Sequence, residues 1–141
     1  MKRLLPALAL ALWTCLSVAA PTAAPVRAEI ETLLTRLQTS GCQFNRNGSW
    51  YSGAEAKDHL LRKLAYFEDK TTVQNTEQFI ELAATKSSSS GKAYQVRCVG
   101  VQAVESKPWL TGQLATLRGA ASKPPAVRPG LHPDSQSRSP D

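Results

Sequence analysis

The chain has 141 residues, 42% apolar and 20% charged, and 17 basic against 11 acidic residues give it a formal net charge of +6. That length provides for one small domain rather than two. Without Lys2, Arg3 and Arg27 the balance falls to 14 basic against 11 acidic residues, which is not the charge of a nucleic-acid binder.

The N-terminus opens Met1-Lys2-Arg3 and continues LLPALALALWTCLSVAA. A basic tip, an apolar run of about 15 residues and then small residues form the pattern of a secretory signal, and the run is short for a membrane span. Cleavage is expected after Ala28 in VRA; Ala19 is the other position, and Ala20 is hampered by Pro21. Residues 1–28 are thus the expected signal peptide, the mature protein is expected in the periplasm, and no stable membrane span remains once the signal is removed. Cys15 lies inside the apolar run behind Trp13-Thr14, where a lipid-anchored cysteine would need a small residue before it. Losing Cys15 leaves two cysteines, Cys42 and Cys98, in an oxidising compartment. A disulfide between them closes a loop of about 57 residues, worth about 4 kcal/mol on the chain-entropy model.

Further along, EIETLLTRLQTSG sets Ile30, Leu33, Leu34 and Leu37 at helical spacing, with Gly41 past the end as a cap. Next comes GCQFNRNGSWYS. Asn47-Gly48 between alternating residues is a hairpin signal, because both central positions of a type I′ turn require positive φ. It predicts strands over 42–46 and 49–52, with Cys42, Phe44, Arg46, Ser49 and Tyr51 on one face and Asn45 and Trp50 on the other. Ser52 and Glu55 form a capping box that opens a second helix, with Ala56, Leu60, Leu64 and Phe67 as its apolar stripe and an end near Glu68-Asp69. A third helix is expected over about 76–86, broken by SSSSG at 87–91. AYQVRCV at 93–99 alternates as a strand, with Tyr94, Val96 and Cys98 on one side and Gln95, Arg97 and Val99 on the other. A fourth helix begins near Ser106-Lys107-Pro108 and carries Leu110, Leu114 and Leu117.

Residues 119–141 hold five of the nine prolines and almost no bulky apolar residue, so they are expected to form a disordered tail. The folded unit is expected over residues 29–118, where 11 basic and 9 acidic residues leave +2. The fold class is α+β: four helices packed on a small antiparallel sheet of about three strands, with one disulfide. FNRNGSWYSGAEAKDHLLRKL, TEQFIELAATKSSSSGKAYQVRCVG and PWLTGQLATLR resemble the YfeK-like proteins, small bacterial periplasmic proteins whose domain has no assigned function. The resemblance covers residues 29–118. It implies an exported single-domain protein of a Gram-negative envelope and brings no cofactor with it.

Three places offer chemistry. On the outer face of the hairpin, Trp50 stands among Asn45, Gln95 and Arg97, an aromatic among polar groups, as contact surfaces often show. On the second helix Glu55, His59, Arg62 and Tyr66 make a polar stripe in which Glu55 can orient the His59 imidazole one turn on; ordinary pairing on a solvated helix face is the simpler account. Ser89-Ser90-Gly91-Lys92 has the S-x-x-K spacing of some acyl-transfer enzymes, but Gly91 and a following strand deny it the helical geometry they use. Lys92 and the loop N–H groups suit an anion. With His59 and His132 as the only histidines, no metal site is expected, and no cofactor. The expected function is a non-enzymatic binding or interaction module for an unknown periplasmic protein or envelope component. The alternative is a small hydrolase or transferase using Ser89 or Ser90 with Lys92 or His59.

Overall fold

The computed structural model describes residues 20–123. Most of the expected signal segment, the chain beyond Lys123 and His132 lie outside them. In chain order the elements are α1 (Ala24–Thr39), β1 (Gln43–Arg46), β2 (Ser49–Tyr51), α2 (Gly53–Glu68), α3 (Thr76–Phe79) running into a π-helical turn (Ile80–Ala84), β3 (Gln95–Arg97), β4 (Val104–Glu105) and α4 (Ser106–Ala121).

The hairpin forms as its turn residues dictate. Asn47 has φ 52° and Gly48 φ 89°, and the strands pair Phe44 with Tyr51 and Asn45 with Trp50. β1 also pairs with β3, Gln43 opposite Arg97 and Phe44 opposite Val96. Extending that register by one step sets Cys42 opposite Cys98, where the two are disulfide-bonded with Cα atoms 4.1 Å apart. The sheet has four antiparallel strands in the order β2-β1-β3-β4, not three. The extra strand, Val104–Glu105, is two residues long, too short to show a period of two.

The helices cover the sheet face that bears Phe44, Tyr94 and Val96. Ile30, Leu33, Leu34 and Leu37 of α1, Leu60 and Leu64 of α2, Phe79 and Ile80, and Leu110 and Leu114 of α4 are all at most 2% exposed and form one core with those sheet residues. α1 begins at Ala24, upstream of the expected domain start at 29, and Arg27 in its first turn bonds Glu68 at the end of α2. Within the expected third helix, α-helix gives way at Ile80 to the π-helical turn, which ends at Ala84 instead of about 86. The Thr85 hydroxyl donates to the Ile80 carbonyl at 2.8 Å, a side-chain bond that competes with continued helix. α4 extends to Ala121, three residues into the segment expected as tail, and the Ser122 hydroxyl donates to the Arg118 carbonyl there.

At the start of α2, Ser52 Oγ accepts from the Glu55 N–H at 3.3 Å while the Glu55 carboxylate accepts from the Ser52 N–H at 2.8 Å. Both halves of the capping box are present. Ser52→Ala is expected to lower stability by about 1 kcal/mol in urea denaturation. The next residue, Gly53, is buried against the end of α1. A Cβ there would lie 2.5 Å from the Leu37 carbonyl oxygen and 2.8 Å from the Gln38 Cα.

Candidate functional site

One step beyond the β1–β3 pairs, the inner face of the sheet ends at Arg46 and Tyr94, next to α2. His59 and Lys63 are one turn apart on that helix and therefore share a face. The four side chains meet. Arg46 Nη1 lies 3.1 Å from His59 Nδ1, His59 Nε2 lies 3.2 Å from Tyr94 Oη, and Lys63 Nζ lies 3.4 Å from the same oxygen and 3.0 Å from the Lys86 carbonyl. A guanidinium has donors only, so Nδ1 accepts and the proton of the neutral imidazole sits on Nε2, which donates to Tyr94. The phenol oxygen then accepts from both His59 and Lys63. Its own hydrogen has no acceptor among the described residues.

Charge in this cluster is one-sided. Among the described residues Arg46, Arg62 and Lys63 form no ion pair with a carboxylate, whereas Arg118 bridges Glu29 and Glu77, and Arg27 holds Glu68. Burial, then the charges of Arg46, Lys63 and Arg62, push the His59 pKa down from 6.5 to about 4. Burial and Arg46 also lower the Lys63 ammonium, and burial raises the Tyr94 phenol. Between about pH 4 and 6.5 the unfolded chain binds a proton at His59 that the folded chain refuses, so stability rises with pH in that window. Acidifying from pH 7 to 4 is expected to lose about 1–2 kcal/mol from this half-exposed ring, a figure already reduced for solvent screening. His59→Gln should flatten that part of the urea-midpoint profile. The loss at lower pH should persist in the variant, because Arg118 holds the Glu29 and Glu77 carboxyls below their ordinary range and their contribution disappears as they protonate.

Two clefts flank the cluster and share Arg46 and His59. One, of about 290 Å³, is lined by Lys63, Tyr94 and the turn that carries Ser87 and Ser89. The other, of about 310 Å³, has an apolar floor of Phe44 and Ala56, with Tyr51, Asp58 and Arg62 around it. The serine turn is tied to the hairpin. Asn47 Nδ2 donates to Ser87 Oγ at 3.4 Å, and the Ser90 hydroxyl donates to Asn47 Oδ1. The buried Ser87 oxygen also accepts from the Ser90 N–H, so its hydrogen goes to Ser89 Oγ at 3.0 Å and the Ser89 hydrogen is left to point elsewhere.

The residues singled out from the sequence separate onto different surfaces. Asn45, Trp50 and Arg97 share the outer sheet face as expected, and the Arg97 guanidinium stacks 4.1 Å from the Trp50 ring centroid, leaving the indole half-buried. His59, Glu55 and Arg62 line the second cleft. Glu55 does not orient His59, because its carboxylate is engaged by Ser52; Arg46 and Tyr94 hold the ring instead. Lys92 is exposed and lines neither of these clefts. No serine hydroxyl of the described chain hydrogen-bonds His59 or the Lys92 ammonium: Ser89 bonds Ser87 and Ser90 bonds Asn47. Arg46, Lys63 and Tyr94 were not among the expected site residues, although the hairpin register and the i,i+4 spacing from His59 carried the signal for two of them.

Among the described residues no helix is long and apolar enough to cross a membrane. No curated protein and no solved structure matches the chain. A family model does, over residues 24–118, which begins with α1 and ends in the last turns of α4. The chain belongs to DUF5329, a family of unknown function.

Proposed function

We propose that this chain is an exported, non-enzymatic binding module of the bacterial cell envelope, holding a small ligand in the paired clefts beside His59. The observation that carries this reading is a chain of side chains without a carboxylate partner: Arg46 bonds His59, and His59 and Lys63 both meet the Tyr94 hydroxyl, whose hydrogen has no acceptor among the described residues. Buried polar hydrogens ordinarily find acceptors, and a site that leaves one free beside uncompensated cations suits an incoming ligand. Native mass spectrometry and thermal shift against a small-molecule panel test it. Binding is expected for the wild type and is expected to be lost in Arg46→Gln; a broad panel with no ligand at all would sink the reading.

Export is supported by the N-terminal signal pattern, the Cys42–Cys98 disulfide and the likeness to YfeK-like envelope proteins. Processing after Ala19 or Ala20 keeps α1 and the Arg27–Glu68 bond intact, whereas processing after Ala28 would remove that bond and the first five residues of the helix. N-terminal sequencing of the periplasmic protein is expected to begin at Ala20 or Pro21, and a start at Glu29 would refute this. A hydrolase is the second reading, favoured only by Ser89 and His59 lining one cleft. It requires a loop movement that brings the hydroxyl to an imidazole whose two nitrogens are already bonded.

A further inference from the structure

Four donors around the first cleft have hydrogens to spare. Arg46 offers the guanidinium N–H groups not used on His59, Lys63 has a third ammonium hydrogen, and with Ser87 donating to Ser89 the Tyr94 and Ser89 hydroxyl hydrogens lack acceptors among the described residues. They come from β1, α2, the segment entering β3 and the serine turn, so they surround the cleft rather than lie in one plane. A planar carboxylate presents two oxygens, while a phosphate presents three or more in a tetrahedral arrangement that donors from several directions can reach. No acidic side chain lines this cleft. Past the shared Arg46 and His59 the second cleft offers Phe44, Ala56 and Tyr51, an apolar bed with the Asp58 carboxylate at its side.

We propose that the cleft between Arg46, Lys63, Tyr94 and Ser89 binds the phosphate of a small soluble phosphomonoester, whose organic body lies over Phe44, Ala56 and Tyr51 in the adjoining cleft. This rests on the chain being a binding module. It adds the ligand's chemical class and its orientation. A dianion there would offset Arg46, Arg62 and Lys63, the cations that oppose charge on the imidazole, while Tyr94 faces the ring from the sheet and Glu55 and Asp58 lie in the second cleft.

The test uses the full mature protein and phenyl phosphate, with inorganic phosphate, phenylacetate and phosphatidate-containing vesicles as comparisons. His59 and His132 are the only histidines, so the His59 ring resonances can be followed by NMR. Phenyl phosphate is expected to perturb them and to raise the His59 titration midpoint by about one unit or more. It is expected to bind roughly tenfold more tightly than inorganic phosphate, and Lys63→Gln and Arg46→Gln are each expected to weaken it about tenfold or more. Lys123→Gln, an equal charge change far along the chain at the end of α4, should leave the affinity within about twofold. An unmoved His59 at millimolar phenyl phosphate, an equal response to phenylacetate, or binding indifferent to Lys63→Gln would overturn the proposal. Preferential binding to the vesicles would reassign the phosphate to a lipid headgroup and overturn the small-ligand claim. Any of these alongside a non-phosphate ligand found in the panel would leave the binding-module reading standing, whereas an empty panel removes both.

Discussion

Replacing Cys42 and Cys98 together by alanine is expected to lower the unfolding free energy by about 2–4 kcal/mol, with a fall in Tm of at least about 10 °C. The bond joins residues 56 apart in sequence and closes a loop that contains the hairpin, α2, α3 and β3. Reduction therefore frees a large part of the unfolded chain while the native packing can stay in place. On the chain-entropy model such a closure is worth about 4 kcal/mol, which is a large fraction of the stability of a domain this small. The intact, disulfide-bonded protein should weigh about two mass units less than its reduced form, through loss of the two thiol hydrogens. A double variant that unfolds at the wild-type midpoint would show that the sheet holds its register without the cross-link.

Gly53→Ala is expected to cost about 2–3 kcal/mol, an unusually large effect for the addition of one methyl group. The atoms a Cβ would strike are backbone, the Leu37 carbonyl oxygen and the Gln38 Cα, so no side chain can swing aside and α1 and α2 must separate. Gly112→Ala in α4 is the matched comparison. Nothing lies within 4 Å of a Cβ at that position, and the helix should gain about 0.5–1 kcal/mol from the lost backbone freedom. If the two variants shift the urea midpoint in the same direction, the close approach of the two helices is not what constrains Gly53.

Much of this fold was legible because each signal was local and chemically specific. Asn47-Gly48 fixed the hairpin, Ser52 with Glu55 fixed the start of α2, and period two along 42–46 and 93–99 put both cysteines on the core side. β4 was not legible, because its two residues depend on pairing with Gln95 and Val96 rather than on any preference of their own. The π-helical turn was hidden for a related reason: Ile80 to Ala84 carry an ordinary helical pattern, and the widening is seen only in the bonds they make. At the site, the placement of Phe44, Arg46 and Tyr51 on one face of the hairpin was legible, and their part in a cleft was not. They do stand on the core face, but β1 runs off the covered area at Arg46, and a residue of the inner face becomes the wall of a cleft. Glu55 was assigned to His59 by spacing alone, and the same carboxylate was already required by the capping box.

The order β2-β1-β3-β4 places the three-residue β2 and the two-residue β4 at the two margins of the sheet. Unpaired N–H and C=O groups along an outer strand are templates on which other chains can add, and a longer margin recruits more strongly. Here each margin is nearly too brief to template anything: β2 leads through Ser52 into α2 and β4 directly into α4. The chain thereby limits self-association through its sheet, a safeguard that matters during the interval of folding when the strands have paired and the disulfide has yet to form.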